Sequence, residues 1–222
     1  MLLLQFSTSH YCRKVRLALG YKKIPYQVKN LTPGLHLLKL RSLTGLTTVP
    51  VLLPQKMGEP QVVADSTQIS QYLETYQKDP PLMLTDTTEQ NQALLLEDWL
   101  DESIGTATRF IYYNFRAGKG KSIDDSLFSQ MLINIVRRQY NITPATVKLA
   151  SKRLNNAINV LSYWRYRPYL VGEQLSIADL AASALLSPLG LIPEYRRNYS
   201  WLFNKIIEIH KICGEKLPAG LS

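Results

Sequence analysis

The spacing of apolar positions changes character once along this chain. Up to residue 76 short apolar runs alternate with stretches of helical spacing, and beyond residue 88 only helical spacing is found. In the first part, residues 2–6 (Leu-Leu-Leu-Gln-Phe) read as a buried strand and residues 10–21 as a helix whose end Gly20 frays. Residues 26–28 form a short strand after Pro25, and residues 35–43 a helix with apolar side chains at 35, 37, 38, 40 and 43. Residues 49–53 and 61–63 read as two further strands, the first carrying a proline at its start. Residues 65–76 read as a helix, with Ile69, Tyr72, Leu73 and Tyr76 at helical spacing. The order βαβ, α, ββα predicts a small α/β unit with a mixed sheet.

Residues 77–88, with Pro80, Pro81 and an Asp/Thr cluster, break this pattern and read as a linker. Helices are then expected over 89 to about 116, 127–140, 144 to about 164, 176–186 and 201–213, with a flexible break at residues 118–121. The organisation predicted is an α/β domain over residues 1–77, a linker over 78–88 and an all-α helical bundle over 89–222.

Composition narrows the class. The 222 residues are 45% hydrophobic and 19% charged, as in an ordered globular protein. No apolar run approaches the roughly 18 residues of a membrane span, and no basic stretch precedes the apolar start as in a secretory signal. Two cysteines, Cys12 and Cys213, make no disulfide framework and favour a reducing, cytoplasmic setting. The net charge is +9, with a pI of about 9.5. Its carriers are scattered (Arg13, Lys14, Arg16, Lys22, Lys23, Arg137, Arg138, Arg196, Arg197) and are expected on a solvated surface. Without a basic block, zinc-finger spacing or an RNA-binding aromatic signature, nucleic acid is not an expected partner, and an organic anion fits better. No cluster has metal-ligand spacing.

Candidate chemistry concentrates where the first strand meets the first helix. Thr8-Ser9-His10-Tyr11-Cys12-Arg13-Lys14-Val15 places a serine and a cysteine three apart at a helix start, where unpaired N–H groups and the helix dipole favour an anion such as a thiolate. Val49-Pro50 opens a strand with a residue lacking an N–H; it is either an ordinary trans proline at an edge or a cis turn. Asp65-Ser66-Thr67 begins a helix and either caps it or forms a pocket, with Ser66 and free N–H groups for a carboxylate and Asp65 for an ammonium. Ser176-Ile177-Ala178-Asp179 is a capping box, which makes Asp179 a folding residue.

Four segments in this order and spacing resemble the glutathione S-transferase superfamily along nearly the whole chain. They are Ser9-His10-Tyr11-Cys12-Arg13-Lys14-Val15-Arg16, Thr48-Val49-Pro50-Val51-Leu52, Ala64-Asp65-Ser66 and Leu170-Val171-Gly172-Glu173-Gln174-Leu175-Ser176-Ile177-Ala178-Asp179. The resemblance implies a thioredoxin-like N-terminal domain, a helical C-terminal domain, a homodimer and a cis Val49–Pro50 bond. It implies glutathione as co-substrate, held by Thr48, the backbone of Val49, Pro50, Asp65 and Ser66. The usual glutamate is shortened here to Asp65. The lysine that commonly precedes the cis proline is missing from Thr44-Gly45-Leu46-Thr47-Thr48, so His36 and Lys39 become candidates for the glycine carboxylate.

Ser9-His10-Tyr11-Cys12 also resembles a glutaredoxin Cys-Pro-Tyr-Cys loop whose first cysteine is replaced. Serine there donates a hydrogen bond to the glutathione thiolate without becoming a nucleophile, which favours conjugation or isomerisation over disulfide reduction. Tyr11 and Thr8 are alternative hydroxyl donors. Cys12, in the resolving position, is the candidate for thiol or dehydroascorbate reduction. Arg109, Tyr112, Tyr113, Phe115 and Arg116 lie where the family places its hydrophobic-substrate pocket. The expected function is thus a detoxifying glutathione transferase acting on a hydrophobic electrophile. The rivals are a non-catalytic carrier of a large planar anion such as a tetrapyrrole, and the Cys12-dependent reductase.

Overall fold

The computed structural model describes residues 1–221. Its first part runs β1 (Leu2–Gln5), α1 (His10–Tyr21), β2 (Gln27–Asn30), α2 (His36–Thr44), β3 (Val51–Leu53), β4 (Val63–Ala64) and α3 (Ser66–Tyr76). The strands form one sheet in the order β2-β1-β3-β4; β1 is parallel to β2 and antiparallel to β3, and β4 is antiparallel to β3. This is the thioredoxin-like arrangement.

Alternation along β1 separates two cores. Leu3 joins Val15, Leu52, Ile69 and Leu73 on the side covered by α1 and α3, while Leu4 joins Leu40 and Val51 on the α2 side. The α2 side is thin. Leu40 is the buried residue of that helix, and Leu35 and Leu38 stay 72% and 80% exposed. The apolar spacing over 35–43 therefore forms the expected helix without a matching buried face, which leaves α2 little to hold it to the sheet.

The rest is helical: α4 (Thr87–Trp99), α5 (Gly105–Ala117), α6 (Leu127–Gln139), α7 (Pro144–Val160), α8 (Ile177–Leu185), α9 (Pro193–Asn198) and α10 (Ser200–Ile212). The single helix expected over 89–116 is interrupted by a π-helical stretch, Leu100–Ile104, closed by a Gly105 N–H to Leu100 C=O bond. The helix expected from 144 to about 164 changes to a 3₁₀ stretch over Leu161–Tyr166, and α9 was not foreseen. No helix of the described residues is long and apolar enough to cross a membrane.

Every residue of α8 is buried, and it packs against α1, α4 and α10. The capping box fixes its start: Asp179 Oδ2 accepts from Ser176 N–H and Oγ–H, each at 2.9 Å, and Oδ1 accepts from Leu170 N–H at 2.7 Å.

Three basic residues expected at the surface are inside. Lys14 and Lys22 have no exposed area and Arg16 has 8%. Lys22 pairs with Glu74 at 2.6 Å and donates to the carbonyls of Gln77 and Pro80, tying α1 to the segment after α3. Arg16 donates to Glu215 and Gln5. Lys14 pairs with Glu97, pairs with Asp101 at 2.6 Å and donates to Thr67 Oγ1 at 3.2 Å. Buried charges are tolerated only when paired and hydrogen-bonded, and here their partners lie 11 to 199 residues away.

Candidate functional site

The sheet registers bring three segments to one edge. Leu4 pairs with Val51 on one side of β3 and Ala64 pairs with Val51 on the other. The Val49–Pro50 step, one register further, is thus flanked by the end of β1 and by Asp65–Ser66. The Val49–Pro50 bond is cis. Among the described residues no turn, loop or cap backbone hydrogen bond occupies the Val49 N–H or C=O.

Ser9 follows β1 and is the N-cap of α1, its Oγ accepting from Cys12 N–H at 3.3 Å. It is half-buried, and its own O–H remains to donate. Thr8 beside it is exposed. Cys12 has no exposed area, and burial pushes its thiol above the ordinary cysteine range despite the opposing Ser9 hydroxyl and Phe6 backbone. A thiol so placed holds little thiolate, which removes the basis for disulfide chemistry at Cys12. Tyr11 is committed elsewhere, donating its O–H to the Asp101 carbonyl at 2.7 Å, and burial raises its pKa.

At the other side, Asp65 stands at φ +76°, a left-handed value rare for a non-glycine residue. Its Oδ1 accepts from Thr67 N–H at 2.9 Å and Gln68 N–H at 3.1 Å, while Oδ2 has no partner among the described residues. The Ser66 N–H at the start of α3 is also unpaired there. The Ser66 side chain is different: it is buried and donates to Asp101 Oδ2 at 3.1 Å. Ser66 thus offers a ligand its backbone and not its hydroxyl.

His36 lies at the start of α2 beside Phe6, at the end of β1, and Lys39 lies one turn further along α2. The His36 ring packs edge-on against Phe6 at 4.8 Å, and its Nδ1 accepts from Gly34 N–H. Burial lowers its pKa, so it is neutral near pH 7. A cavity of about 260 Å³ between β2 and α2 is lined by Lys29, His36 and Lys39, among others. Lys29 was not foreseen; it enters because β2 pairs in parallel with β1, which no spacing in the sequence reveals. Thr48 is exposed just before the cis bond.

The helical side divides the predicted substrate residues between two faces of α5. Arg109 lies over the rings of Tyr11 at 5.5 Å and Tyr140 at 4.4 Å. Tyr112 and Tyr113 meet edge-on at 5.3 Å, and Arg116 donates to the Tyr112 hydroxyl at 2.9 Å. Arg109, Tyr112, Tyr113 and Arg116 share one face of α5 by helical spacing, and it meets the first helix through Arg109 over Tyr11. Phe115 lies on the other face, where with Ile111 and Asn114 it lines a separate groove of about 1010 Å³. His10, beneath Tyr11, is buried and its pKa is pushed down to about 3 by desolvation and by the charges of Arg109 and Arg13, so it is neutral and no general acid.

Comparisons with known proteins bear on the fold that carries these residues. Residues 3–81 match the family described as glutathione S-transferase, N-terminal domain. Among curated proteins, the chain is similar to FtsZ-localized protein A of Caulobacter vibrioides, with 24% identity over 176 residues, 79% of this chain and 71% of that protein. Among solved structures it is similar to FzlA from C. crescentus, at 21% identity and a TM-score of 0.68 over 98% of this chain and 93% of that one. It is also similar to a glutathione S-transferase from Methylobacterium radiotolerans in complex with glutathione sulfonate, at 19% identity and a TM-score of 0.71 over 98% and 94%.

Proposed function

We propose that the chain, whose residues 3–81 match the N-terminal domain of glutathione S-transferases, is a glutathione transferase that activates the glutathione thiol at Ser9. The observation that carries this reading is the meeting, at one sheet edge, of a free serine O–H, a cis-proline turn with an unpaired Val49 backbone and an unpaired helix-start N–H at Ser66. The γ-glutamyl carboxylate is received by the Ser66 N–H at the start of α3, and its ammonium by Asp65 Oδ2. The cysteinyl backbone pairs with Val49, next to Thr48 and Pro50. The glycine carboxylate lies towards Lys39, with His36 as a neutral donor and Lys29 adding charge. The thiol gives its proton to water, and the Ser9 O–H donates to the sulfur anion. That anion then forms a C–S bond to an electrophilic carbon lying against Arg109, Tyr112, Tyr113 and Arg116, and the displaced electron pair departs with a leaving group or, in addition to an activated double bond, is protonated by water.

One hydrogen bond to a charged acceptor is worth about 1.5–3 kcal/mol, so Ser9→Ala is expected to raise the bound thiol's pKa by about one to two units. Calorimetric titration of glutathione into wild type and Ser9→Ala, in buffers of different ionisation enthalpy, reads the proton released. Saturable binding with proton release that the substitution removes supports the reading; no binding by the wild type, or release unchanged in Ser9→Ala, rejects it. As part of the same reading the protein is cytoplasmic and pairs with a second copy of itself.

Similarity to FtsZ-localized protein A favours one second reading. In it, the chain localises with FtsZ and the glutathione edge serves binding and not turnover. Co-sedimentation with assembled FtsZ by a protein that fails to accelerate glutathione addition to electrophiles would select it over the first.

A further inference from the structure

The groove on the far face of α5 has a chemistry of its own. Four cations line it, Lys119, Arg137, Lys148 and Lys152, against one carboxylate, Glu194. None of the four forms an ion pair among the described residues, although six such pairs exist elsewhere in the molecule. Arg137 Nε is buried without a hydrogen-bond partner. An uncompensated cluster of this kind costs stability through self-repulsion unless an anion neutralises it.

The rest of the lining defines the anion. Ile111, Phe115 and Ile192 give the groove an apolar floor. Asn155 and Asn156 line it from α7, on the face that also carries Lys148 and Lys152. Amide side chains both donate and accept, as a peptide backbone requires. From Pro144 to Asn156 the α7 face runs about 18 Å at 1.5 Å per residue, the length of about six residues of extended chain. The volume of about 1010 Å³ lies at the upper end of the range for small ligands.

We propose that this groove docks an acidic, extended peptide segment of a partner protein, with carboxylates on the lysines of α7 and an apolar side chain against Phe115. It is a second site. Ile111 and Phe115 line the groove while Arg109, Tyr112, Arg116 and Ser9 do not, so a peptide here leaves the Ser9 edge open.

The test is fluorescence anisotropy with a fluorescein-labelled peptide of about nine residues, rich in Glu and Asp around a central Phe. Wild type, Lys148→Glu/Lys152→Glu and the charge-matched control Arg41→Glu/Lys78→Glu, both exposed positions outside the groove, are compared. Thermal melts of all three confirm folding. Saturable binding weakened about tenfold or more by the groove pair, unchanged by the control pair and reduced by raising the salt concentration is the expected result. Absence of saturable binding, equal loss in both double variants, or better displacement by a single-stranded oligonucleotide than by unlabelled peptide overturns it.

Discussion

Replacing Lys14 with methionine is expected to cost about 4 kcal/mol of stability near neutral pH. Lys14 has no exposed area; its ammonium stands between the Glu97 and Asp101 carboxylates and touches Thr67. Methionine fills much of the volume of the lysine stem, so the loss is electrostatic and not a cavity. Taking one partner from a buried ion pair costs about 3–5 kcal/mol, because the remaining charge stays buried without compensation. For a chain of this length that is a fall in Tm of about 8–16 °C.

The pH dependence identifies the cause. Burial already holds Asp101 above the ordinary carboxylate range, against the pull of Lys14. A carboxyl whose folded pKa is raised binds its proton more tightly when folded, so its contribution to stability falls as pH rises through that window. Removing Lys14 raises the window further, and the deficit of the variant grows from acid to neutral pH. Guanidinium unfolding of both proteins at several values between about pH 5 and 8 measures it. Adding Glu97→Gln and Asp101→Asn to Lys14→Met recovers part of the loss. A deficit under about 1 kcal/mol at neutral pH, or one that does not change with pH, would refute the argument.

Two further outcomes are expected. Asp179→Ala strands the buried N–H groups of Leu170 and Ser176, at about 1–3 kcal/mol for each orphaned donor, and lowers the denaturant midpoint accordingly; a shift worth less than about 1 kcal/mol contradicts the cap geometry. Both thiols are buried, with Cys213 pushed up to about 12 by burial and by Glu215, so a chromogenic disulfide reagent reacts with neither in the native protein and with both once it is unfolded. Prompt reaction of native Cys12 would revive the reductase reading.

Much of the fold was legible where local chemistry decides it. The Ser176/Asp179 pair caps its helix as its sequence context predicts, Ser9 proves to cap α1 where only its hydroxyl chemistry was expected, and the proline after Val49 lies in the cis turn implied by the resemblance. Strand edges were less so. Of the stretch expected as a strand over 49–53 only Val51–Leu53 forms β3, and of 61–63 only Val63 pairs, β4 running on to Ala64. The buried lysines were illegible for a different reason. A charge on α1 looks the same in sequence whether it meets water or a carboxylate on a helix 83 residues away. Phe115 shows a similar limit: at i,i+3 from Tyr112 it reads as part of the same aromatic stretch, but the rotation of α5 decides which site each residue faces.

That rotation has an origin in the π-helical stretch over Leu100–Ile104. One π turn holds an extra residue, and each residue of an α-helix advances about 100°. Loss of a single codon in this stretch would restore regular α geometry and turn all of α5 by about that angle. Side chains now aimed at Tyr11 would swing away and others would take their place, with no side chain of α5 altered. The division of labour between the two faces of α5 therefore hangs on chain length at one turn, and a length change there is a shorter route to a new specificity than substitution of the aromatic residues themselves.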